Sequence, residues 1–147
     1  MPRRSKSQEL LDFEIAFYER LLASYPDFSD ALMPLAEAYT RRGLHDKGLQ
    51  ADLRLTQLRN QDPIAWYNLA CSYALLNRVE ESLEALRRAF ELGYADFTHL
   101  RRDPDLANVR HSPKYRQLLE SIVSAKTLRS RQAEPHPNPQ ASGPPAA

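Results

Sequence analysis

The feature that most constrains this chain is a pattern of four spaced residues that occurs twice, 34 positions apart. Leu32, Leu35, Ala36 and Tyr39 recur as Trp66, Leu69, Ala70 and Tyr73. Within each block the residues are spaced by three, one and three positions, which is typical of one buried face of an α-helix. A unit of this length cannot bury its apolar face alone, so successive units must stack on each other.

The unit length and its residue types resemble the tetratricopeptide repeat (TPR). A bulky residue, then leucine with a small neighbour, then tyrosine and a turn residue is the order that this family shows. Residues 63–96 match it best, and residues 29–62 match it less well because Asp52 occupies a place for leucine or an aromatic residue. The resemblance implies an all-α fold, a short right-handed α-solenoid of antiparallel helix pairs.

The chain of 147 residues divides on this basis into six segments. We expect a disordered basic N-terminus (1–8), an N-terminal helix or half repeat (9–28), TPR 1 (29–62), TPR 2 (63–96), C-terminal capping helices (97–128) and a disordered Pro/Ala-rich tail (129–147). The last segment includes a run of small, polar and proline residues that cannot form a packed core.

Helix ends can be predicted from residue type. Ser29 or Asp30 is expected to cap the first helix of TPR 1, although Pro34 then falls inside that helix and removes a backbone hydrogen bond. Asp62 followed by proline predicts the start of the next unit, and Gly43 and Asn77 predict helix ends in the left-handed conformation.

A short solenoid also needs caps for its two ends. At the N-terminal end, Leu10, Phe13, Phe17 and Leu21 share a helical spacing and are expected to cover TPR 1. At the C-terminal end, the order Gly-Tyr-x-Asp-Phe, Asp-Pro-Asp-Leu and Pro-x-Tyr-x-x-Leu-Leu resembles the closing segment of many bacterial TPR proteins. Its last helix is expected to pack through Tyr115, Leu118, Leu119 and Ile122.

Charge argues against nucleic acid as a partner. The net charge is +1, of which residues 1–8 contribute +3 and residues 126–147 contribute +2, leaving −4 for residues 9–125. An acidic body lacks the basic face that phosphate binding requires. The sequence also has no apolar leader and no stretch of roughly 20 apolar residues, which is the length of a membrane span. We therefore expect a cytoplasmic chain with no membrane span.

Residue patterns for catalysis or cofactor binding are weak. The four histidines form no metal-binding spacing, the single cysteine excludes a multi-thiolate site, and glycines are too few for a phosphate loop, so we expect no metal and no cofactor. Asp103 and Asp105 are interpreted as helix-start charges on a solvated face. Cys71 is expected to pack or to line a groove, and a hydrolase or redox enzyme built on it is the weakest hypothesis.

The resemblance implies that a partner binds in a concave groove lined by the first helix of each unit. The positions that carry this role are Met33, Glu37, Thr40, Arg41, Ile64, Tyr67, Asn68 and Cys71. Asn68 is expected to hydrogen-bond the backbone of an extended peptide. Pro34 stands where a preceding unit would need the matching asparagine, so the family's grip on a C-terminal carboxylate is not expected here.

Two functions follow from this interpretation. The leading hypothesis is a non-enzymatic protein-protein interaction module, a scaffold or adaptor that binds a peptide or helix of another protein in its groove. The alternative is a structural subunit that assembles through exposed helix faces or the ends of the stack. The oligomeric state is left open by the sequence, with a monomer favoured.

Overall fold

The computed structural model describes residues 2–133, which form helices and the connections between them, with no strand among these residues. Its helices are α1 (Lys6–Ser24), α2 (Ser29–Arg42), α3 (His45–Leu58), α4 (Pro63–Leu75), α5 (Val79–Glu91), α6 (Phe97–Arg102), α7 (Ala107–Arg110) and α8 (Pro113–Gln132), with a single 3₁₀ turn at Pro104–Leu106 between α6 and α7. None of the helices in this range is long and apolar enough to cross a membrane.

Successive helices pack side by side from α1 to α5, joined by connections of two to four residues. Connections this short reverse the chain direction, so neighbouring helices run antiparallel. The protein is therefore an all-α helical repeat solenoid, as the 34-residue pattern predicted. The division into segments remains a prediction, and α1 and α8 extend beyond the expected limits, to Lys6 and Gln132. Met1 and residues 134–147, which include most of the predicted disordered tail, lie outside the described residues.

The repeat is visible in how each helix pair closes. In α3, Gly48 lies against α2, where an added Cβ would be 3.3 Å from Thr40 Oγ1. The equivalent residue of the next pair is Ser82, which is fully buried and donates a hydrogen bond of 2.7 Å to the carbonyl of Ala70. A small residue is thus required here in both units, because the two helices approach closely.

Helix ends follow the predictions with one exception. Asp62 caps α4 by accepting from the amide of Ile64 at 2.9 Å, and Gly43 and Asn77 adopt φ angles of 82° and 57°. The predicted cap of α2 is wrong, because the helix begins after Phe28 with no side-chain cap.

The side chains of Ser29 and Asp30 bind Arg59 instead, which ties the start of α2 to the end of α3. Pro34 lies inside α2, as the pattern indicated.

The core consists of two clusters. The larger joins α3, α4 and α5 to the C-terminal helices, where Leu100, Leu106 and Val109 are fully buried. Tyr115 and Leu118 are buried against it, with Leu119 and Ile122 packed alongside, which confirms the predicted face of the last helix.

The smaller cluster joins α1, α2 and α3, and Ile15 is the buried residue that α1 contributes. The predicted face of α1 is wrong. Leu11, Ile15, Tyr18 and Leu22 pack inward, while Leu10 and Phe13 are 70% and 72% exposed. Both faces of α1 have helical spacing, so spacing alone does not tell which of them packs against α2.

Candidate functional site

A cavity of about 340 Å³ lies between α2, α4 and the segment that follows α5; we call it the central cavity. Its lining residues are Met33, Ala36, Glu37, Thr40, Asp52, Tyr67, Asn68, Cys71, Ser72, His99, Asp103 and Asp105. A larger cavity of about 580 Å³ lies at the end of α1 and is lined by Leu21, Tyr25, Pro26 and Phe28 among others. The central cavity is the better candidate site, because polar groups from several helices converge in it.

Six of the eight predicted groove residues line the central cavity: Met33, Glu37, Thr40, Tyr67, Asn68 and Cys71. The other two do not. Arg41 forms an ion pair with Glu14 of α1 at 2.9 Å, and Ile64 lies at the start of α4, 45% exposed and outside the cavity. Arg41 therefore faces α1, whereas Ile64 shares the helical face of Asn68 but lies one turn nearer the start of α4.

Asn68 and Glu37 present polar atoms to the cavity. Glu37 is exposed and Asn68 is half-buried, and neither side chain forms a hydrogen bond with another side chain or backbone atom within residues 2–133. An amide with both its donor and its acceptor available can hydrogen-bond the backbone of an extended peptide.

Asp103 occupies the centre of a hydrogen-bonded cluster. Its Oδ2 accepts from the Tyr67 hydroxyl at 2.6 Å and lies 3.6 Å from Cys71 Sγ and 3.3 Å from His99 Nε2. Its Oδ1 accepts from the amide of Asp105 at 3.0 Å, which caps the 3₁₀ turn.

The predicted capping role of Asp103 is therefore confirmed, but its predicted position on a solvated face is wrong, since the residue is buried. The position follows from the path of residues 97–110, which comprise α6, the 3₁₀ turn and α7 and which we call the cap segment. Its 3₁₀ turn packs on α4, and Asp103 lies inside the cavity.

The surroundings of this cluster keep its thiol and its phenol protonated. Burial raises the pKa of the Cys71 thiol far above its usual range, and the charges of Asp103 and Asp105 raise it further. Burial and the hydrogen bond to Asp103 similarly raise the pKa of Tyr67. A cysteine acts as a nucleophile through its thiolate, so this environment disfavours covalent chemistry at Cys71.

Three groups of the cluster are close enough together to be considered as metal ligands. One ligand atom each from Cys71, Asp103 and Asp105 lies within 4.8 Å of the others. Metal binding requires a deprotonated thiol, which the raised pKa of Cys71 opposes, and Asp103 Oδ2 already accepts from Tyr67. The donor set therefore fits a metal ion poorly.

Asp52 is the feature of the cavity that the sequence interpretation missed. It is 3% exposed, and its Oδ2 accepts from the Ser72 hydroxyl at 2.5 Å. Its Oδ1 is buried and has no hydrogen-bond partner among the described residues. Burial raises the pKa of this carboxyl to about 6, although the Ser72 hydrogen bond opposes the shift.

The signal for Asp52 was present in the repeat itself. The equivalent position 34 residues later is Leu86, which is fully buried. Asp52 is therefore a buried carboxylate at a repeat position where the other unit packs a leucine. Residues that break the packing pattern in this way are concentrated at functional sites. His99 and Asp105, also missed, are brought to the cavity by the cap segment and carry no comparable signal.

Comparison with known proteins supports the repeat interpretation. No protein-family model matches the chain. Over 69 residues, 44% of this chain, it is 46% identical to a chloroplastic protein from Arabidopsis thaliana, and the match covers 21% of that protein. Over 71 residues, 48% of this chain, it is 31% identical to a TPR repeat-containing protein from Methanocaldococcus jannaschii, covering 12% of that protein.

The matched segments thus span about a fifth and about an eighth of these two relatives. The archaeal relative carries the repeat in its name, and the helical stack agrees with it. Together they fit a TPR-like protein.

Proposed function

We propose that this protein is a non-enzymatic interaction module that binds a segment of another protein in the central cavity. The observation that carries the proposal is the convergence of six predicted groove residues, from two successive units, on one cavity. The likeness to a TPR repeat-containing protein supports a scaffold rather than a catalyst. The raised pKa of the Cys71 thiol supports the same view.

The binding mode follows from the polar groups that are available. Glu37 and Asn68 lie on successive first helices of the units and present their side chains to the same cavity. A peptide lying across them can satisfy its backbone groups while its side chains enter the cavity. So short an array contacts few residues of a partner, and we expect micromolar affinity.

The test is peptide selection against the immobilised full chain, followed by affinity measurement on the selected peptides by fluorescence anisotropy. We expect Asn68→Ala to weaken binding about fivefold to tenfold, the effect of one lost hydrogen bond. Asn60→Ala is the matched control, since Asn60 is exposed in the α3–α4 connection and does not line the cavity.

Equal binding by the Asn68→Ala variant, or a failure to select any peptide, would contradict the proposal. Tyr67→Ala is unsuitable as a test because Tyr67 is buried and stacks on Tyr94 at 4.3 Å, so its removal would disturb the fold.

A second candidate function is self-assembly through α1, and the exposed apolar face of this helix favours it. Leu10, Phe13 and Phe17 are all more than half exposed, and the exposed residues Tyr25 and Phe28 line the cavity beside Leu21 at the end of the same helix. Contiguous apolar surface of this kind on a folded protein marks an interaction site. The proposed occupant is the α1 face of a second copy.

Charge supports this occupant. Glu9 and Arg20 are exposed on the same flank of the apolar face, eleven residues apart and near opposite ends of the helix. In an antiparallel, two-fold symmetric pair of α1 helices, Glu9 of each copy lies near Arg20 of the other. A symmetric interface of this type is self-complementary.

Sedimentation velocity across a range of about 1 to 100 µM tests the assembly. We expect a concentration-dependent dimer of twice 16.9 kDa for the natural chain. Phe13→Glu should abolish it, Glu9→Arg should weaken it, and the exchange Glu9→Arg with Arg20→Glu should restore it.

Leu128→Glu is the control for the dimer, because Leu128 is an exposed apolar residue at the other end of the stack. A monomer at every concentration would exclude the assembly and agree with the monomer that the sequence favoured. A cytoplasmic location remains part of the proposal, and imaging of a tagged chain in its native cell would test it.

A further inference from the structure

The central cavity has a strongly acidic lining. Glu37, Asp52, Asp103 and Asp105 all contribute carboxylates, and none of the lining residues is a lysine or arginine. The guanidinium of Arg110 donates to the carbonyl oxygens of Leu100 and Asp103 and so holds the cap segment in place. Within residues 2–133, the carboxylates of the lining therefore form no ion pair with a lysine or arginine, and His99 Nε2 lies 3.3 Å from Asp103 Oδ2.

An independent observation indicates that a donor is missing from the cavity. Asp52 is almost completely buried, lines the cavity, and has a carboxylate oxygen without a hydrogen-bond partner in the part of the chain that the structure describes. A buried carboxylate oxygen without a donor is costly. A cationic group that entered the cavity beside this carboxylate would reduce the cost of burying its charge.

Size and shape favour an organic cation over a metal ion. A volume of about 340 Å³ exceeds what a single ion needs and accommodates a long side chain. Met33, Ala36 and the ring of Tyr67 supply apolar wall beside the carboxylates. Lysine and arginine have this combination of an apolar stem and a charged end.

We propose that the central cavity binds a lysine or arginine side chain of the partner, with its charged group held by the carboxylates and its stem along Met33 and Tyr67. The inference deepens the proposed function and rests on it. It specifies that the partner segment is basic, which also agrees with the net charge of −4 on residues 9–125 of a chain whose total is +1.

The test is an NMR titration of the full chain with blocked single amino acids. The probes are Nα-acetyl-lysine methylamide and its arginine analogue, and the norleucine analogue is the control because it has a similar stem without a charge. We expect saturable shifts of the Asn68, Cys71 and Ser72 signals with the two cations. The norleucine probe should bind at least about tenfold more weakly.

Asp105→Asn is the informative variant. Asp105 is half-buried, and its side chain forms no hydrogen bond with the described residues, so the change removes a charge at nearly constant size. We expect it to weaken both cationic probes about tenfold. Glu80→Gln, on the exposed surface of α5, is the matched control and should leave them unchanged.

Three results would overturn the inference: norleucine binding as tightly as lysine, zinc or magnesium chloride causing the same shifts where the organic cations cause none, or no response to any probe. The selected peptides distinguish this failure from that of the proposed function. If their affinity depends on Asn68 but not on Asp105, the cavity binds a peptide without a basic side chain. If it depends on neither residue, both proposals fail.

Discussion

The two ends of the stack are closed in different ways. At the C-terminal end, α6, the 3₁₀ turn and α7 fold over α4 and α5 and bury Leu100, Leu106 and Val109 completely. At the N-terminal end, α1 is the single helix over the first repeat, and Ile15 is its one buried residue. The C-terminal end is thus covered by a segment that folds back on the stack. The N-terminal end is covered by one helix whose outer face is exposed to solvent.

This difference shows that helical amphipathicity does not identify a buried face by itself. The spacing of Leu10, Phe13 and Phe17 is as regular as that of Tyr115, Leu118 and Ile122, yet the first set faces outward. A terminal helix has neighbours on one side, and an apolar stripe on its other side is covered only if another chain or segment provides the cover.

The largest expected contrast between the ends is in stability. Leu106→Ala should destabilise the fold by about 2 to 5 kcal/mol, because it removes a fully buried side chain and leaves a cavity. Phe13→Ala should change stability by about 0.5 kcal/mol or less, since Phe13 is 72% exposed. Urea unfolding below the concentration of any dimer measures both.

A loss of several kcal/mol for Phe13→Ala in the monomer would show that the outer face of α1 is packed after all. Phe97→Ala, at a half-buried residue of the cap, should give an intermediate value and serves as an internal scale.

The second prediction concerns Asp52, the buried carboxyl residue of α3, which lies between the two ends of the stack. Its pKa is raised to about 6 from 3.8, so the folded state binds the Asp52 proton more tightly than the unfolded state does. The resulting stabilisation is complete below about pH 4, falls as pH rises toward 6, and is lost above that. A shift of this size corresponds to as much as about 3 kcal/mol.

Asp52→Asn should remove this dependence, because the amide retains the shape of the side chain and an acceptor for Ser72. Urea unfolding of both proteins between pH 4 and 8 isolates the effect as a difference. A constant difference across this range would mean that Asp52 does not titrate there. Asp30→Asn, at an exposed carboxylate of α2, is the control.

The smallest expected effect compares the helix caps at the two ends. Ser5 and Gln8 form a reciprocal capping box at the start of α1, and Asp96 accepts from the amide of His99 at 3.0 Å at the start of α6. Removing either cap costs about 1 kcal/mol.

Amide hydrogen exchange should separate the two losses. Ser5→Ala should lower protection in α1 alone, since that helix can open by itself, whereas Asp96→Ala should lower protection throughout α4 and α5. Equal, global losses in both variants would mean that α1 unfolds with the rest of the stack.

Much of the site could be predicted from the repeat. The resemblance to the tetratricopeptide repeat implied which positions line a groove, and six of them, Met33, Glu37, Thr40, Tyr67, Asn68 and Cys71, line the cavity. The resemblance placed Arg41 and Ile64 in the same groove, but Arg41 pairs with Glu14 of α1, and Ile64 lies one helical turn before Asn68, at the exposed start of α4. Whether the six bind a partner remains a prediction.

The position of Asp103 and Asp105 in the cavity could not be predicted from the repeat. Asp103 and Asp105 resemble ordinary helix-start residues, and Asp103 does cap the 3₁₀ turn. Their burial depends on the path of the cap segment, which contacts between residues far apart along the chain determine, such as that between Tyr67 and Asp103.

The sequence by itself determined the helical class, the repeat length and most helix ends, because these depend on local spacing and on the conformations of glycine, asparagine and proline. The tertiary structure alone decided which face of α1 is open and which carboxylates meet in the central cavity. The physical reason is that a side chain is buried only when another surface packs against it. A residue's neighbours along the chain do not specify which surface that is.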